Sequence, residues 1–287
     1  MTVHLITDSA SDIARDADPR LSVLPLTIAF GDTVYRDGID LSSERFYELL
    51  IEGDLLPTTG QVNPFSYTEA IRDARAAGAD EIVIITLSSK LSGTNQSALI
   101  AAAEAGGAAA GVYVVDTLSA TVGERVLVDY ALRLVDEGRS GADIAAALER
   151  ERERVCVVGL LDTLEYLKRG GRIPATAAVI GDLLSIKPVI GVDDGAVALR
   201  GKAHGSRNGR NLLNREIERA GGIDFGMPIR LGYTGLDDRM LQKYIDDSRA
   251  LWETAISRDE LPVSTVGATI GTHVGPGCIA LAFFCRG

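Results

Sequence analysis

Apolar and polar residues alternate in blocks along the first half of the chain. "VHLITD" (3–8) has the composition of a strand and runs into Ser9, "SVLPLTIAF" (22–30) predicts a second strand, and "GDTVYRDG" (31–38) reads as its hairpin-like return. Phe46, Leu49 and Leu50 fall on one face of a helix that Ser42 or Ser43 would cap. "LPTTGQVNP" (56–64) reads as a loop, whose closing Asn63-Pro64 is a cap and first-turn signal for the helix "FSYTEAIRDARAAG". "EIVIITL" (81–87) and "GVYVVDT" (111–117) are near-continuous apolar runs, the kind buried on both faces of a parallel sheet. The helical segments "SALIAAAEA" and "TVGERVLVDYALRLVDEG" follow them. Strand, helix, strand, helix with short loops predicts a parallel sheet covered on both sides.

A helix from Ser140 or Asp143 through "SGADIAAALERERERV" leads into the strand "CVVGLLD" (156–162), and there the pattern changes. Residues 163–203 read as helical pieces followed by short strands around the turn Asp193–Gly195. "NLLNREIERAGG" predicts a helix, "PIRLGYTG" a strand, and "DRMLQKYIDDSRALWETAI" (238–256) one long helix. "STVGATIGTHVGPGCIALAFF" predicts two closing strands joined by a Gly-rich turn. The expected fold is α/β in two domains: an N-terminal parallel α/β/α domain, 1–155, and a C-terminal mixed α/β domain, 156–287. A length of 287 residues suits that division.

Composition narrows the function. The net charge of −11 disfavours nucleic acid and anionic membrane as stable partners, leaving at most a transient membrane contact. Cys156, Cys278 and Cys285 are odd in number, lack CxxC spacing and sit in apolar runs, so three buried free thiols are expected. With three His and no His/Cys cluster, no metal site is expected. The beginning "MTVHLITDSASD" lacks a basic leader and no run of 18 apolar residues occurs, so a cytoplasmic location is expected.

Ligands of open parallel sheets bind beyond the carboxyl ends of the strands. Asp8–Ser9, Thr58–Thr59, Ser88–Thr94, Asp116–Thr117 and Asp162 are the polar groups expected there. In the Ser88–Thr94 loop, Gly93 permits close approach, the following helix offers free N–H groups, and the Ser92 hydroxyl can donate to an anion; taken alone, the same residues read first as a helix cap. No Walker loop, GxGxxG or GxSxG occurs, which disfavours nucleotides and a nucleophilic serine. His4 reads as a structural strand residue. His273, in "GTHVGPG", reads as a displayed turn residue able to donate to a carboxylate. Lys168, Arg169 and Arg172 in "LKRGGRI" form either a solvated turn or a basic patch for a phosphate or an acidic partner.

In order along the chain, "TDSASD" (7–12), "YRDGID" (35–40), "TTGQVNP" (58–64), "SSKLSGTNQSA" (88–98), "VVDT" (114–117), "LEYLKRGGRI" (164–173), "LLSIKPVI" (183–190) and "GTHVGPG" (271–277) resemble the DegV family of bacterial fatty-acid-binding proteins. The resemblance implies a long-chain fatty acid lying in an apolar tunnel between the two domains, with no other cofactor and no catalysis by the protein itself. It implies a carboxylate held by Thr59, Ser92 with Gly93, and His273, and Asp37 as a partner behind them. It also implies a separate fatty acid kinase that makes the acyl-phosphate, faced by Arg172 and, where the family carries a second Arg, by His204 or one of the flanking Arg200 and Arg207. Gly60-Gln61-Val62 departs from the family's Ser-Gln-Pro, which predicts a looser loop. The alternative from another class is the ketose-binding domain of a dihydroxyacetone-type kinase, which needs a small polar site instead of a long apolar one; a third is a regulatory module for another amphiphile.

Overall fold

A computed structural model describes residues 2–53, 55–174 and 186–286. The first half contains β1 (Val3–Asp8), β2 (Leu21–Leu24), β3 (Thr27–Phe30), β4 (Thr33–Arg36), α1 (Ser43–Glu52), β5 (Thr58–Gly60), α2 (Pro64–Ala76), β6 (Glu81–Thr86), α3 (Thr94–Glu104), β7 (Val112–Asp116), α4 (Val122–Asp136) and α5 (Gly141–Glu151). The second half contains β8 (Val155–Leu160), α6 (Glu165–Arg169), β9 (Ile186–Asp193), β10 (Ala196–His204), α7 (Gly205–Arg219), β11 (Arg230–Tyr233), α8 (Arg239–Asp247), β12 (Val263–Thr265), α9 (Ala268–Val274) and β13 (Ile279–Phe284).

The α/β class and the parallel first sheet are as the pattern predicts. Its order is β2-β1-β6-β7, all parallel, and its central strands are apolar on both faces because helices cover both. The second sheet is mixed, in the order β10-β9-β8-β13-β11-β12. The hydroxyl or amide side chains of Ser42, Asn63 and Ser140 cap α1, α2 and α5. Helix α4 lies between the two sheets. Its Val122, Val126 and Leu127 join one core with Val83 and Val115 of the first sheet and Val157, Ala280 and Phe284 of the second.

Four local expectations change. The run 22–30 is not one strand: Pro25, which has no N–H to donate, divides β2 of the parallel sheet from β3 of a small antiparallel sheet, β4-β3-β5. Thr58–Gly60 is strand β5 in that sheet, where a Cβ on Gly60 would lie 2.4 Å from Thr27 Oγ1. The run 238–256 breaks after Asp247; Ser248 turns inward to Asn214, and a short turn at 249–251 carries Trp252 edge-on against Tyr244. The helical pieces expected within 163–185 are described only as α6; residues 175–185 lie outside the described residues.

The cysteines are also corrected. Cys156 and Cys285 form a disulfide, and only Cys278 is free. Antiparallel pairing sets Cys156 opposite Phe283, which makes Cys285, two residues further on, its diagonal neighbour on the same face, 6.4 Å away between Cα atoms. A separation of 129 residues leaves no trace of that in the local pattern.

Candidate functional site

Between the sheets runs a cavity. It encloses about 890 Å³, part of it open to solvent. Leu87 and Leu91, Val157, Ile190, Ile270 and Val274 represent the apolar walls. Thr59, Ser92, Arg172 and His273 line the same cavity, so four residues from distant parts of the chain meet there.

His273 is not on a turn. It occupies the last turn of α9, a seven-residue helix closed by Gly275 at φ +73°. Such a short, Gly-containing segment is a poor helix by propensity. Tertiary partners hold it: Asp12 accepts from Gly267 N–H at 2.7 Å, and Asp37 accepts from Thr269 N–H at 3.2 Å and from its hydroxyl at 2.5 Å. Asp37 is thus buried behind the first turn of α9 and reaches His273 only through that helix.

Strand β5 sets Thr59 opposite Ile28 and brings its hydroxyl to 2.9 Å from His273 Nε2. His273 Nδ1 is buried with no hydrogen-bond partner among the described residues. Gly170 makes room for the ring, since a Cβ there would lie 2.3 Å from Nδ1. Burial first, and the charge of Arg172 second, push the imidazole down to about 4, so it is neutral at neutral pH. One ring nitrogen then carries a proton to donate.

Ser92 Oγ lies 2.9 Å from Thr94 Oγ1 and accepts from Thr94 N–H at 3.3 Å. With the Thr94 hydroxyl as donor, the Ser92 proton is left for a ligand. Gly93 has φ −73°, so its role is close approach: a Cβ would lie 2.1 Å from Gln61 Oε1. Gln61 in turn donates to Ser97 at 3.0 Å, and Val62 N–H donates to Thr94 at 3.3 Å. The Gly60-Gln61-Val62 segment is therefore tied to α3, contrary to the looser loop expected.

Arg172 donates through Nε to Leu91 O at 3.1 Å and through Nη1 to Gly170 O at 2.6 Å. Among the described residues no carboxylate lies within ion-pair distance of it. It faces the cavity beside His273. His204 and Arg207, by contrast, are exposed at the junction of β10 and α7 and do not line the cavity. Of the other strand-end candidates, Asp162 pairs with Lys187 and Asp116 accepts from Leu118 N–H; neither lines the cavity.

The motif "TDSASD" supplies one buried carboxyl, Asp8, and one half-buried, Asp12. Asp8 accepts from Ala10 and Leu87 N–H, and Asp12 from Thr121 Oγ1 at 2.6 Å. Burial pushes both up to about 7, and it raises Asp37 and Glu124 as well. Among the described residues no group of three or more His, Cys, Asp or Glu side chains could hold a metal ion, and no helix is long and apolar enough to cross a membrane.

Fold and cavity together define an α/β protein with an apolar cavity whose wall carries a few polar side chains. Residues 2–286 match the DegV family profile, and the chain belongs to the DegV family. It is 34% identical over 291 aligned positions to a DegV domain-containing protein of Clostridium perfringens, covering 97% of this chain and 96% of the relative. Among solved structures it resembles a DegV family protein of Thermus thermophilus described for its fatty acid binding, at 33% identity, a TM-score of 0.87 and full coverage of both chains. The fold also matches the fatty acid kinase B3 protein of Streptococcus pneumoniae loaded with linoleic acid, at 22% identity, a TM-score of 0.85 and full coverage of both chains.

Proposed function

We propose that this protein is a cytoplasmic carrier that binds a long-chain fatty acid in the cavity between its sheets and presents the carboxylate to a separate kinase, which makes the acyl-phosphate. We place the division between its two domains near residue 155. The observation that carries the reading is the Thr59–His273 pair, 2.9 Å apart, at the wall of an apolar cavity. Thr59, Ser92 and His273 hold the carboxylate by hydrogen bonds from neutral donors, and Arg172 supplies the compensating charge without a carboxylate of its own among the described residues. The acyl chain contributes roughly 0.8 kcal/mol per methylene buried, most of it offset by ordering costs. The fatty-acid-binding relative from Thermus thermophilus supports the ligand class at 33% identity. Exposed His204 and Arg207 are the proposed kinase-facing groups, with Arg172 reaching the same partner only at the cavity mouth.

The ketose alternative needs a small polar site, which the apolar lining disfavours. Mass spectrometry of organic extracts from native protein tests the reading, with uptake of added palmitate as the second arm. A fatty acid in stoichiometric amount is expected. No endogenous acid and no palmitate uptake would sink it.

A further inference from the structure

Strand register sets Gly159, Ala280 and Gly232 side by side on β8, β13 and β11, with Ile190 of β9 opposite Gly159 on its other edge. Paired residues share a face of the sheet, so these form one row. Its residues are small for two different reasons. A Cβ on Gly232 would lie 2.8 Å from Val122 Cγ1 and 3.0 Å from Val266 Cγ2, so branched neighbours already fill that space. A Cβ on Gly159 would meet nothing nearer than 3.6 Å, from Ile190 Cγ1, Ile279 O and Leu161 Cδ1. Gly159 does not adopt a positive φ either. Neither backbone nor packing calls for glycine there, and a strand-interior glycine weakens the strand.

What approaches Gly159 is the cavity, which it lines together with Ala280 and Ile190. The cavity extends from Val197 on β10 to Thr234, just beyond β11, and β8 lies between those strands in the sheet order. An acyl chain filling it must cross β8. Val157 cannot provide the crossing, because its side chain already packs against α4, where a Cβ on Gly123 would lie 2.3 Å from Val157 Cγ2. We propose that Gly159 is the specificity-determining position of the acyl site: its missing side chain opens the lane through which the chain crosses the sheet, and so sets the length of acid that can be held. The proposal deepens the fatty-acid reading and rests on it.

The test uses the full chain stripped of lipid, with palmitate and decanoate titrated by calorimetry into wild type, Gly159→Ala, Gly159→Val and the double variant Gly159→Ala/Ala280→Gly. Filling the lane should lower the palmitate-to-decanoate affinity ratio about fivefold in the Ala variant and about a hundredfold in the Val variant, the range that overpacking produces. The double variant keeps the row's methyl count but leaves β8 filled, so it should stay as low as the Ala variant, and recovery of the wild-type ratio would overturn the assignment to Gly159. An unchanged ratio in the Ala and Val variants, with wild type binding palmitate, overturns the role of Gly159 and leaves the carrier function standing. Wild type that binds neither acid overturns both. Should the Val variant fail to fold, the Ala variant decides alone, since its methyl makes only ordinary contacts.

Discussion

The two ends of α9 are built on opposite terms. At its N-terminal end, backbone N–H groups of Gly267 and Thr269 meet the carboxyls of Asp12 and Asp37, and Asp12 also binds the Thr121 hydroxyl. At its C-terminal end, His273 has one nitrogen on Thr59 and the other buried without a partner among the described residues. A satisfied buried network gives rigidity, whereas an unsatisfied buried group marks a place held ready for something else. The first end is architecture and the second is the proposed site. Substitutions at the first should therefore move stability, and substitutions at the second should move binding.

The largest effect is expected from Asp12→Ala. It strands two part-buried donors and places Ala at φ +56°, costing about 3 kcal/mol in urea denaturation. Loss of palmitate binding at unchanged stability would invert the comparison. The disulfide ranks beside it, because it staples β13, into which α9 leads, to β8. Cys156→Ser/Cys285→Ser should lose about 3 kcal/mol, read from the same denaturation curves against oxidised wild type.

The pH dependence is intermediate. Asp8 and Asp12 keep their protons up to about 7 when folded, against about 4 in an unfolded chain. The folded state binds more protons between those values, so stability rises as pH falls through 7. His273 acts in reverse below its ordinary 6.5, since the folded protein holds it neutral down to about 4, and burial lowers His4 in the same sense. The four raised carboxyls, Asp8, Asp12, Asp37 and Glu124, outnumber them. The urea midpoint should rise from pH 7.5 to 5.5, each group contributing at most about 1.4 kcal/mol per pH unit. Asp12→Asn should flatten the slope, and a midpoint that falls over this range would refute the assignment.

The smallest effect in energy is the most informative about function. Thr59→Val removes the hydroxyl while keeping the shape, and should weaken palmitate about tenfold in calorimetry, with a loss of about 1 kcal/mol in urea denaturation from the unpartnered His273. A palmitate affinity equal to wild type would remove Thr59 from the proposed carboxylate site.

Helix starts and buried strands were legible along the chain because their causes are local. Ser42, Asn63 and Ser140 cap by bonding three residues ahead, and the apolar runs 81–87 and 111–117 carry their burial in composition. The proposed ligand residues were legible through motifs, and the structure brings Thr59, Ser92, Arg172 and His273 to one cavity. His273 was expected on a turn, because nothing within "GTHVGPG" announces that Asp12, 255 residues away from Gly267, will hold a helix there.

Local chemistry along the chain thus settled the α/β class, the parallel first sheet and the main caps, since each depends on neighbours within a few residues, while the proposed ligand residues were pointed to by motif resemblance. Folding alone decided the Cys156–Cys285 pairing, the orphaned Nδ1 of His273, the cavity-facing position of Arg172 and the open lane at Gly159. Each of these depends on strand register or on a distance between residues far apart in the chain, and such distances come into being only when the sheets pair and pack.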